Sequence, residues 1–201
     1  MADYILDIGH DHDAECPMDW DGSWKLVSFR DRSIHHANPD NYVKLHVGNT
    51  IIPATLGLRN KARVGFCFLL DYFEHGSARY DIHGHGPQCR WDTSNYAGML
   101  IWEHPPKDMG SKTFEERQKD AKAFLETYNQ WMNGEVYGFN LDKVDGTFVD
   151  GCWGFFDAPG MSEHIHPNLK PGDRVQLTGE AAYFYEGKLP PGVEMVEDIA
   201  R

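Results

Sequence analysis

The chain has 201 residues, with 31 acidic and 19 basic side chains and a formal net charge of −12 at pH 7. This charge disfavours direct binding to nucleic acid, because a phosphate-binding surface relies on clusters of Lys and Arg. No apolar run approaches the roughly 20 residues that span a bilayer, and the acidic N-terminus lacks the basic start of a signal peptide. With 41% hydrophobic and 13% aromatic residues, we expect a folded cytoplasmic protein that does not enter a membrane.

Short strands separated by turns are predicted over most of the chain, because β-branched, aromatic and alternating apolar residues recur between turn signals. These strands are predicted at residues 4–9, 24–30, 42–48, 63–76, 78–84 and 97–103, at 135–144 and 147–157 around the turn at Asp145-Gly146, and at two places within 174–187. The segments 63–76 and 78–84 have the pattern of a hairpin.

One amphipathic helix is predicted at residues 113–133. Thr113 and Glu116 form a capping box, and apolar side chains from Ala121 to Met132 recur at helical spacing. We expect this helix to place Phe124 and Trp131 in the core. The spacing is also compatible with a helix that binds a partner.

The fold class predicted from these elements is α+β. Strands outnumber helices and do not alternate with them, which favours a mainly antiparallel, twisted sheet with one long amphipathic helix packed on a face. The Pro- and Gly-containing segment 166–173 predicts a boundary. A main α+β domain would cover residues 1–165, and a C-terminal β-hairpin extension with an acidic tail would cover residues 166–201.

Three His-x-His pairs raise the hypothesis of a metal site, since two histidines on one face of a strand can share an ion. They lie at residues 10 and 12, 83 and 85, and 164 and 166. The candidate ligands of zinc, manganese or iron are His10, His12, Asp13, Glu74, His83 and His85. The pairs lack the spacing of a known zinc motif, so histidines solvated in polar loops are the alternative.

The loop DIHGHGPQCRWD at residues 81–92 is interpreted as structural. Arg90 and Asp92 are expected to form a clamp of charge-assisted hydrogen bonds, with Trp91 packed inward and the histidines facing water. Cys89 beside Arg90 leaves a reactive thiol open as an alternative. In DGCWGFF, Cys152 and Trp153 are interpreted as buried core residues.

Acidic residues concentrate near the N-terminus, where residues 3–31 hold eight acidic side chains against two basic ones. Four of them, Asp11, Asp13, Asp19 and Asp21, are candidate interaction residues. They would steer a basic partner by long-range attraction. An acidic segment that serves solubility alone is the competing interpretation.

The segments GPQCRWDTSNYAGMLIWEHPPKDMGSKTFEERQKDAKAFLETYNQWMNGEVYGF and DGCWGFFD resemble uncharacterised proteins of bacteriophages and mobile elements. The resemblance implies a setting in the host cytosol and a host protein as partner, but it assigns no catalytic residue. The first hypothesis is therefore an accessory interaction protein, an antagonist of a host defence component with an acidic and aromatic surface. The alternative is a metal-dependent hydrolase that activates water.

Overall fold

The structure is a computed structural model that describes residues 2–30, 35–46 and 50–199. In chain order its elements are β1 (Asp3–His10), β2 (Lys25–Ser28), β3 (Val43–His46), β4 (Thr50–Pro53), α1 (Leu56–Arg63), β5 (Cys67–His75), β6 (Ser77–Ile82), β7 (Thr93–Ile101), α2 (Phe114–Met132), β8 (Tyr137–Lys143), β9 (Phe148–Phe155), α3 (Ala158–Ile165), β10 (Arg174–Thr178) and β11 (Glu194–Val196). The predicted α+β class with mostly antiparallel sheets is confirmed. None of the described helices is long and apolar enough to cross a membrane.

Two compact units divide the chain, and the boundary differs from the predicted one. Unit 1 combines Met1–Glu15 with Gly134–Arg201, and unit 2 is Cys16–Asn133. The predicted C-terminal hairpin is wrong, because β10 runs parallel to both β1 and β11. The segment 166–173 is a connection within unit 1, since it leads from α3 to β10, which pairs with the N-terminal strand β1. Residues 200 and 201 of the predicted tail lie outside the described residues.

Unit 1 is a five-stranded sheet in the order β11-β10-β1-β8-β9, covered on one face by α3. The central strand β1 alternates, so that Tyr4, Leu6 and Ile8 point into the core, where Met161 and Ile165 of α3 pack. Burying these side chains on one face of β1 fixes its register.

Unit 2 contains an antiparallel sheet in the order β2-β7-β5-β6 and a separate hairpin of β3 and β4. The hairpin predicted at 63–84 is present as β5 and β6. Its predicted start is wrong, because residues 56–63 form the helix α1. Residues 47 and 48 of the strand predicted at 42–48 lie outside the described residues.

Two helices escaped the sequence analysis because both are short, at eight residues each. Their local start signals are present: Thr55 caps α1 by accepting from Leu58 N, and Asp157 caps α3 by accepting from Gly160 N. The second strand predicted within 174–187 is also wrong. A 3-10 turn at Ala182–Phe184 takes its place.

The helix α2 begins at the predicted capping box. Glu116 N donates to Thr113 Oγ1 over 3.1 Å, and Thr113 N donates to Glu116 Oε2 over 2.9 Å. Ala121, Leu125 and Tyr128 are buried in the core of unit 2. Phe124 and Trp131 lie at the margin of this core and are only partly buried, since they flank the buried stripe.

We expect Leu125→Ala to lower the free energy of unfolding by about 2–5 kcal/mol, because it deletes a fully buried side chain from a packed core. The matched control is Lys119→Ala on the exposed side of the same helix. It should change stability by less than about 0.5 kcal/mol. Urea unfolding followed by circular dichroism measures both, and equal effects would contradict the packing of α2 described above.

Candidate functional site

The six predicted metal ligands do not form one cluster. His10, His12 and Asp13 belong to unit 1, whereas Glu74, His83 and His85 belong to unit 2. In the part of the chain that the structure describes, no group of three or more His, Cys, Asp or Glu side chains is placed to hold a metal ion.

Most of these side chains have partners inside the protein. His10 Nδ1 lies 3.0 Å from Gly134 O, and His12 Nε2 lies 3.6 Å from a Glu180 carboxylate oxygen. In unit 2, Glu74 accepts from Arg30 over 3.2 Å, and His85 Nδ1 lies 3.1 Å from Lys122 Nζ. A cationic neighbour at His85 disfavours the approach of a metal cation.

The predicted clamp in the loop 81–92 has a different arrangement. Trp91 is 83% exposed rather than packed inward, and the guanidinium of Arg90 lies 5.2 Å from its ring centroid. Asp92 accepts from Cys89 Sγ over 3.1 Å and lies 3.4 Å from His75 Nδ1. The Arg90 guanidinium therefore contacts the Trp91 ring and not Asp92. The Asp92 carboxylate, which was expected to bind Arg90, accepts from the Cys89 thiol instead.

Asp71 organises this loop, although the sequence analysis did not single it out. Its buried carboxylate accepts from His83 Nδ1 over 2.8 Å and Tyr96 N over 3.0 Å at Oδ1. At Oδ2 it accepts from Gly84 N over 2.9 Å and Gln88 Nε2 over 3.3 Å. Because a carboxylate offers about four lone-pair sites, these donors leave none for a metal ion.

His83 consequently does not simply face water. Its Nδ1 is hydrogen-bonded to Asp71, and its ring lies against the Tyr96 ring in a tilted arrangement with centroids 4.1 Å apart. Tyr96 has φ 55°, a conformation that costs free energy in a residue other than glycine. The hydrogen bond from Tyr96 N to Asp71 stabilises this conformation, so the cluster serves to fix the loop.

The pKa of Asp71 lies below its ordinary value. Burial alone raises this pKa, but the hydrogen bonds from Gly84 N, His83, Tyr96 N and Gln88 together outweigh burial. Since the pKa is lower in the folded than in the unfolded state, ionised Asp71 contributes stability at pH values above about 4. That contribution is lost as the pH falls through the folded-state pKa.

We expect Asp71→Asn to lower the free energy of unfolding at pH 7 by about 1–3 kcal/mol. The amide nitrogen of Asn would face the donors that Asp71 now accepts from, and these would lose their acceptor. The difference from wild type should shrink as the pH falls below about 4, where Asp71 takes up a proton first in the unfolded chain and then, at lower pH, in the folded protein. Urea unfolding at pH 7 and at pH 3 measures this, with Asp108→Asn on the exposed surface as the control. A deficit of equal size at both pH values would contradict the role of the ionised carboxylate.

A second candidate site is the sheet face of unit 1 opposite to α3, called here the open face. Directly paired residues of neighbouring strands share a face. The open face is therefore formed by Ile5, Asp7, Gly9, Gly138, Asn140, Asp142, Phe148, Gly151, Trp153, Gln176 and Thr178.

A cleft of about 880 Å³ lies on the open face and is lined by four carboxylates. These are Asp7, Asp142, Asp145 and Asp198; Lys143 is the one cationic side chain among the described residues that line it. In the described part of the chain, the carboxylates of Asp142 and Asp198 make no hydrogen bond or ion pair. Among the described residues, the cleft therefore has an excess of negative charge, with four carboxylates against one lysine.

Two aromatic rings lie on the same face of the sheet as these carboxylates, and glycines make room for them. A Cβ atom on Gly138 would overlap the Trp153 ring, and one on Gly9 would lie 3.4 Å from Trp153 Cη2. A Cβ on Gly151 would lie 3.3 Å from Phe148 Cε2. Trp153 is 47% exposed and Phe148 is 64% exposed, so both rings offer a surface to solvent.

The prediction of Trp153 as a core residue is therefore wrong. In β9 the side chain of Cys152 packs on the core of unit 1, and strand alternation turns Trp153 to the opposite side. The sequence signal for this orientation of Trp153 was the pair of glycines at positions 9 and 138, one on each of two neighbouring strands. A glycine inside a strand often marks the close approach of another group.

In comparisons with protein-family models, curated proteins and solved structures, nothing matched this chain.

Proposed function

We propose that this protein is an interaction protein that binds a basic partner on the open face of unit 1. The observation that carries the proposal is the cleft with four carboxylates and one lysine, on a face that also presents two exposed aromatic rings. Interfaces favour aromatic residues, and charge complementarity selects the partner and sets its register. A partner with clustered Lys or Arg side chains fits this surface.

The carboxylates of the cleft suit direct contact. Asp142 and Asp198 have no intramolecular partner in the described part of the chain, so a cationic side chain would not have to displace one. Among the described residues, Asp7 accepts a side-chain hydrogen bond only from the Thr178 hydroxyl, over 2.9 Å. A neutral hydroxyl leaves the charge of Asp7 available to a partner.

The N-terminal aspartates are proposed to act at longer range. Asp13, Asp19 and Asp21 are exposed, and Asp11 is half-buried with its carboxylate accepting from Asp13 N. Exposed charges of this kind speed the encounter with a partner but contribute little to the docked contact. Their attraction weakens as salt shortens the Debye length to about 3 Å near 1 M.

A host protein as the partner, with antagonism of host defence as the outcome, rests on the sequence resemblance alone. The metal-dependent hydrolase has less support, because the described residues provide no three-ligand group. Elemental analysis of protein purified without a histidine tag tests this alternative. Stoichiometric zinc, manganese or iron would favour it.

The test of the binding face uses two variants that each remove four negative charges. The face variant changes Asp7, Asp142, Asp145 and Asp198 to Asn, and the N-terminal variant changes Asp11, Asp13, Asp19 and Asp21 to Asn. The probe is a short peptide in which Arg and Thr alternate. We expect the face variant to bind this peptide at least about tenfold more weakly than wild type, mainly because it dissociates faster. The N-terminal variant should mainly associate more slowly.

Biosensor kinetics at low and high salt measure both rates. A Glu/Thr peptide of the same length and a neutral oligosaccharide serve as further probes, since exposed aromatic rings and carboxylates also suit sugars. Equal effects of the two variants would show that net charge rather than the open face matters. Binding of the neutral oligosaccharide without binding of the basic peptide would overturn the proposal.

A further inference from the structure

Trp153 has the properties of an anchor for one particular side chain of the partner. Its ring extends over two strands, from Gly138 on β8 to Gly9 on β1, and one side of the ring is covered by the sheet. Nearly half of the side chain is exposed. None of the described cationic side chains lies over this ring, whereas three other aromatic rings among the same residues each have an arginine guanidinium over them.

Asp7 lies on the same strand and face as Gly9, over which one edge of this ring extends. Asp7 is two residues from Gly9 on the same face of β1, which places the two positions about 7 Å apart along the strand. An arginine side chain spans this distance easily. Its guanidinium can stack on an indole and pair with a carboxylate at the same time.

Unit 2 contains this arrangement within its own structure. The Arg30 guanidinium lies 4.0 Å from the centroid of the Tyr72 ring and 3.2 Å from Glu74 Oε2. The ring and the carboxylate stand two residues apart on β5, the spacing that separates Gly9 and Asp7 on β1. In unit 2 the arginine is Arg30 of the protein itself. On the open face of unit 1, the corresponding position between Trp153 and Asp7 is available to an arginine of a partner.

We infer that Trp153 and Asp7 bind an arginine side chain of the basic partner, and that they select arginine over lysine. The inference rests on the proposed function of the open face. The planar guanidinium stacks on the ring and donates in pairs to a carboxylate, whereas the lysine ammonium is a compact, strongly hydrated charge. Asp142, Asp145 and Asp198 attract either cation, so the preference for arginine comes from a guanidinium that stacks on Trp153 while it pairs with Asp7.

The test compares the Arg/Thr peptide with a Lys/Thr peptide of the same length. Wild type should bind the Arg peptide more tightly, and Trp153→Ala should weaken its binding by about 2- to 30-fold while affecting the Lys peptide less. Gly138→Ala keeps the tryptophan but pushes the ring away, so it should also lose the preference. Trp91→Ala removes an exposed tryptophan of unit 2 and should leave both affinities unchanged.

A measurement on wild type covers the case in which Trp153→Ala or Gly138→Ala does not fold. The nuclear magnetic resonance signal of the Trp153 indole N–H should shift with the Arg peptide more than with the Lys peptide, whereas the Trp91 signal should not move.

Equal binding of the two peptides by wild type, or an arginine preference that survives in a folded Trp153→Ala, would overturn the inference and leave the acidic face intact. Failure of both peptides to bind wild type would overturn the proposed function and the inference together.

Discussion

The pairing of β1 with strands from the other end of the chain is the interaction on which unit 1 depends. Arg174 donates to both carboxylate oxygens of Asp3 across 171 positions of sequence, and Asp173 accepts from Ala2 N. The hydrogen bond from Arg174 holds the pKa of Asp3 below its ordinary value. With β10 on one side and β8 on the other, β1 becomes the centre of the sheet, and its outward residues become the floor of the open face.

The two candidate sites differ in how the protein treats negative charge. Asp71 is buried and saturated by four donors, so its charge is used inside the fold to shape a loop. Asp142 and Asp198 have no such donors among the described residues. A carboxylate without an internal partner remains available for binding, and this contrast places the candidate interface on unit 1 rather than at the histidine-rich loop.

Local features were predictable from sequence, whereas long-range pairing was not. The capping box of Thr113 and Glu116, and the turn at Asp145-Gly146 between β8 and β9, depend on residues a few positions apart. The parallel pairing of β1 with β10 has no local signal, so the boundary was placed wrongly. The face to which the Trp153 side chain points depends on its position in the in–out alternation of β9 and on the space that glycines of β1 and β8 leave for its ring. Only the general expectation of an acidic and aromatic surface was available from composition.

Because unit 1 joins β1 to strands that begin at residue 137, β1 has no partner strand until β8 has been made. At about 5–20 residues per second, a ribosome makes β8 roughly 7–27 s after β1. During that interval Cys16–Asn133 is contiguous and can fold first, while β1 waits without neighbours. The nascent β1 then has two unpaired edges, which are a template for wrong pairing. Translation speed and chaperones that shield the N-terminal strand therefore bear on the yield of native protein.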